Sequence, residues 1–76
     1  MPESDPKKKD FNHLVTLYNN GQLDAVVEKA AKLTKKFPNA IMLWNIIGAS
    51  NLGLNQHSQA EVAFRKAIQL SPNFSD

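Results

Sequence analysis

The chain has 76 residues, nine Lys and Arg against seven Asp and Glu, a net charge of +2 and no cysteine. That length bounds it to one domain, which buries roughly 60–65% of the surface its unfolded chain exposes, and the missing cysteine excludes disulfides and thiolate metal sites. The small charge is not the basic excess of a dedicated nucleic-acid binder, no apolar run approaches the roughly 20 residues that cross a bilayer, and the polar start Met1 to Pro6 is not a signal peptide; the expected location is cytoplasmic, with no nucleic-acid or membrane partner.

Residues 1–5 read as a disordered tail. Asp5-Pro6 then offers an N-cap and a first helical position, which predicts a first helix over 6–19. Its apolar residues Phe11, Leu14, Val15, Leu17 and Tyr18 recur at steps of three and four. Asn19-Asn20-Gly21 stops it, because Asn and Gly tolerate the left-handed conformation at a helix end. A second helix is predicted over 23–36, with Asp24 near its start and Lys32, Lys35 and Lys36 near its end, as the helix dipole favours. Phe37 precedes Pro38, which disfavours further helix. Asn39 is placed to cap a third helix over 40–54, apolar on more than one face through Met42, Leu43, Trp44, Ile46, Ile47 and Leu52, the pattern of a helix sandwiched between neighbours. Ser58 with Glu61 reads as a capping box for a fourth helix over 58–70, ended by Pro72. Loops this short set neighbouring helices antiparallel.

The elements repeat. Pro72-Asn73 returns Pro38-Asn39 after 34 residues, and Lys66 and Gln56 return Lys32 and Gln22 at the same interval. A helical pattern with that period is the mark of a helix-turn-helix solenoid. Solenoids bury a core between neighbouring units and present surfaces to partners.

On Trp44, Ile47-Gly48, Ala60, Phe64, Ala67 and Pro72, the chain resembles the tetratricopeptide repeat (TPR) family. The resemblance implies an all-α fold, an α-α superhelix of two antiparallel helix-turn-helix repeats with four helices, in a single domain over 6–76. Repeat two covers 41–74. Trp44 stands at the family's aromatic position as a core residue, and Gly48 and Ala60 mark the close approach of two helices. Repeat one, over 7–40, is degenerate: Gly21, Leu23 and Pro38 fit, but Leu14 replaces the Gly and Val26 the Ala. Leu14 facing Val26 is expected to open that helix pair, with Ala25, Ala30 and Ala31 shrinking nearby positions.

In this family the first helix of each repeat lines the concave face. The resemblance therefore implies a partner-binding stripe of Phe11, Asn12, Val15 and Tyr18 in repeat one and Met42, Asn45, Ala49 and Leu52 in repeat two. Such a face, apolar with a few amides, suits a protein or peptide segment. The Lys and Asn clamp by which some members grip a terminal carboxylate is absent, since Phe11, Val15 and Ile46 hold those positions.

The residues carry no catalytic pattern. His13 and His57 are isolated, the serines lack an arranged base, and no Gly-rich phosphate loop is present. No catalytic residue, metal or cofactor is expected, and Lys7-Lys8-Lys9 reads as a solvated face. The expected function is a non-enzymatic protein-interaction module, a scaffold piece of a longer repeat array. The alternative is a substrate-recruiting arm of a larger enzyme, such as an O-linked N-acetylglucosamine transferase-like glycosyltransferase or a sulfotransferase. A homodimer is a further expectation: without a third repeat, Ala67, Ile68, Leu70 and Phe74 would form an uncapped, self-associating end.

Overall fold

The four periodic stretches form four α-helices in the computed structural model, which describes residues 7–70: α1 (Lys8–Asn19), α2 (Leu23–Lys36), α3 (Ile41–Gly53) and α4 (His57–Leu70). Among the described residues there is no strand. Loops of three and four residues join the helices into two successive hairpins, the arrangement of a helical-hairpin repeat.

The 34-residue period of the sequence is written into the backbone. Gly21 (φ 79°) and Asn55 (φ 62°), 34 residues apart, are the two positions with left-handed φ among the described residues. Each follows the first helix of its hairpin. The amide of Gln22 donates to the Leu17 carbonyl (3.0 Å), and that of Gln56 to the Asn51 carbonyl (2.8 Å), the long-range bond of a Schellman ending. Both satisfy a carbonyl that the last helical turn leaves unpaired.

Three helix starts differ from expectation. Lys7 is extended (φ −63°, ψ 147°), and its carbonyl accepts from the amides of Asp10 (2.9 Å) and Phe11 (3.2 Å), so α1 starts at Lys8 rather than at Pro6. This start brings Asp10 into the first turn, where its charge suits the dipole that the lysines oppose. Asp5 and Pro6 themselves, like the tail, lie outside the described residues. Ala40, not Asn39, is the N-cap of α3: its amide donates to the Phe37 carbonyl (3.2 Å), a turn that buries Phe37 and Ala40 and leaves Asn39 exposed. The capping box at Ser58 does not form. The Gln56 carbonyl accepts from the Ala60 amide (3.0 Å), which puts Ser58 inside the first turn, while Glu61 turns to Arg65 at 3.5 Å.

The core gathers Leu14 from α1, Val26 and Ala30 from α2, Phe37 and Ala40 from the loop, Leu43 and Ile47 from α3 and Ala63 from α4. Helix α3 lies between α2 and α4 and packs on both, which explains why its apolar residues are not confined to one stripe. The first hairpin is the looser, as Leu14 in place of the family's glycine leads one to expect. A second feature of that hairpin emerges from the packing. In repeat two, a Cβ added to Gly48 would lie 2.7 Å from the Cε1 and Cζ atoms of Phe64. The residues 34 positions earlier are Leu14 and Ala30, both buried in the one core cluster. Large and small have exchanged places between helices, so each hairpin pairs one bulky residue with one small one. Ala30 is thus the compensating residue; Ala31 is exposed and Ala25 only half-buried.

Gly48 meets the ring of Phe64 most closely, rather than Ala60, although Ala60 is itself buried. Trp44 departs from the core position expected of it. It is half-buried, with one side against the core cluster and its Nε1 donating to the Pro38 carbonyl at 2.9 Å. Its other surface lines an open groove, because no further helix among the described residues stacks on it.

Candidate functional site

Helices α1 and α3, the first of each hairpin, bound a shallow groove of about 340 Å³. Phe11, Val15 and Tyr18 supply one wall, at steps of four and three along α1, and Asn45, Ile46 and Ala49 the other. The lining is almost wholly apolar. Asn45 adds an exposed amide at its rim, and Tyr18 is exposed enough to present both ring and hydroxyl to a ligand. Five residues of the expected stripe come together here: Phe11, Val15, Tyr18, Asn45 and Ala49. Met42 and Leu52 are exposed on the same side of α3 but do not line the groove, and Asn12 is exposed beside it. Ile46 is the lining residue that the 42–45–49–52 stripe omits. It lies three residues before Ala49, and its half-buried side chain reaches both core and groove.

A second groove lies between α3 and α4, of about 330 Å³, lined by Trp44, Ile47, Asn51, Ser58, Gln59, Val62 and Ala63. It continues past Trp44 and Val62 to Arg65, Lys66 and Gln69. Trp44, Ile47 and Asn51 recur at steps of three and four on the face of α3 opposite Asn45, Ile46 and Ala49. This is the uncapped end of the stack, and its exposed apolar surface is not the one expected from sequence. Ala67 is already buried by the chain itself, Ile68 is exposed, Leu70 is half-buried, and Phe74 lies outside the described residues. Val62, 65% exposed, carries the apolar centre instead. The signal was present in its step of four from Ser58 and to Lys66.

Catalytic chemistry finds no support. His13 and His57 are both exposed, and among the described residues no group of three His, Asp or Glu side chains is arranged to hold a metal. The lysines at 7–9 are exposed. No helix among the described residues is long and apolar enough to cross a membrane.

No family model and no solved structure matches the chain. It is similar to the peroxisomal targeting signal receptor of Candida glabrata, with 33% identity over 57 residues. The match covers 75% of this chain but about a tenth of the receptor's length (10%). With the four-helix hairpin arrangement, that likeness fits a TPR-like fold and a protein-interaction role.

Proposed function

We propose that this chain is a non-enzymatic protein-interaction module that binds an extended or helical peptide segment in the groove between α1 and α3. The observation that carries the reading is the convergence of Phe11, Val15, Tyr18, Ile46 and Ala49 on one apolar trough with the Asn45 amide at its edge. Apolar walls give affinity to a peptide's side chains, and an amide offers both a donor and an acceptor to its backbone. The similarity to a receptor for a targeting signal, itself a recognition protein, is in keeping with this role.

The test is a random-peptide array probed with the wild-type chain and with Tyr18→Ala and Val15→Glu variants. Truncating a central aromatic anchor costs on the order of 1–2 kcal/mol, so Tyr18→Ala weakens captured peptides roughly tenfold, and Val15→Glu abolishes their capture. Peptides held equally well by all three proteins would refute the assignment of this groove.

A further inference from the structure

The groove between α3 and α4 is built to receive a second copy of the same helix. Along α4 the residues facing it are Ser58, Gln59, Val62, Arg65 and Lys66, placed at −4, −3, 0, +3 and +4 about Val62. An isologous interface requires that residue i meet residue j while j meets i. If two α4 helices lie antiparallel with Val62 against Val62, Ser58 meets Lys66 and Gln59 meets Arg65, twice over. The chemistry of the two ends is matched as well as their spacing. One end carries acceptors, and the other carries Arg65 and Lys66, which have donors alone. At the acceptor end Asn51 is 3% exposed, and its Oδ1 has no hydrogen-bond partner among the described residues. A buried carbonyl oxygen left without a donor is costly, and the antiparallel copy brings its cationic pair to that end. At the middle, Trp44 flanks the exposed Val62, a large aromatic of the kind that anchors interfaces.

We infer that the chain forms a two-fold symmetric homodimer through this face, with Val62 on the axis and the Arg65–Lys66 end of each α4 over the Asn51–Gln59 end of the other. The face is separate from the α1/α3 groove, so either assignment can fail alone.

Sedimentation equilibrium of the whole chain, followed in parallel by the emission of Trp44, the sole tryptophan, tests the inference. The expected result is a monomer–dimer equilibrium in the micromolar range, with a blue shift of Trp44 emission as the dimer fills. Val62→Glu sets two carboxylates against each other on the axis and raises the dissociation constant at least tenfold. Gln59→Glu, a surface change, tightens the dimer severalfold at low salt, because it faces Arg65 of the second copy. A chain that stays monomeric up to hundreds of micromolar leaves the face to some other helix and overturns the proposal. So does a dimer that neither variant affects, or one that Gln59→Glu weakens.

Discussion

Alanine at Gly48 sets two effects against each other, and the geometry decides between them. In a helix interior, Gly→Ala is favourable by about 1 kcal/mol, because alanine loses less backbone freedom. Here the new Cβ would lie 2.7 Å from Cε1 and Cζ of Phe64 and 2.9 Å from Cδ1. Carbon atoms rest at about 3.5–4.0 Å, so the ring must retreat by close to an ångström. Phe64 is half-buried and its ring edge can swing outward, which relieves the clash by giving up contacts with α3. Overpacking of this kind costs about 1–3 kcal/mol, so the expected net loss is about 1 kcal/mol. For a domain of this size that lowers Tm by roughly 4–8 °C. The assay is thermal and urea unfolding followed by circular dichroism, in the wild-type and Phe64→Leu backgrounds. With the ring removed, Gly48→Ala should become stabilising, giving a coupling energy of about 1 kcal/mol or more. A stabilising Gly48→Ala in the wild-type background, or a coupling near zero, would show that Phe64 does not occupy the space beside Gly48.

Two further outcomes follow from the core. Leu43→Ala empties a fully buried position between the helices, and the cost of about 2–5 kcal/mol is a large share of the roughly 4–11 kcal/mol that holds a chain of this length; urea titration should show a sharply lowered midpoint, and a shift within error would mean that α3 is not the centre of the core. Ser50→Ala should stabilise by about 0.5–1 kcal/mol, since the Ser50 hydroxyl is fully buried without a hydrogen-bond partner among the described residues and alanine is the better helix former; a loss of stability on the same titration would reveal a partner for that hydroxyl.

Much of this architecture was legible in the sequence because helices and turns are local. Steps of three and four among Phe11, Leu14, Val15 and Tyr18 fix a helical face whatever it packs against, and the bounds of α2 agree with expectation to the residue. Gly21 and Asn55 mark the same turn 34 residues apart because few residues accept a positive φ. Helix starts were harder, since the N-cap is chosen by how the preceding loop is buried. The turn that sinks Phe37 and Ala40 passes over Asn39, although Asn is the better cap by propensity.

Which faces are covered is a property of neighbours, and only the tertiary structure decided it. Periodicity assigns a residue to a side of its helix but says nothing of what lies across from it. Trp44 carries the residue type of a core position, yet it lines a groove where no described helix stacks on it; Ala67 looked exposed, yet its own chain buries it. The degenerate first repeat became intelligible in the same way. Leu14 where a glycine was expected is a mismatch in one dimension, but set beside Ala30 it mirrors Gly48 beside Phe64. A packed interior conserves the summed volume of facing residues rather than the identity of either.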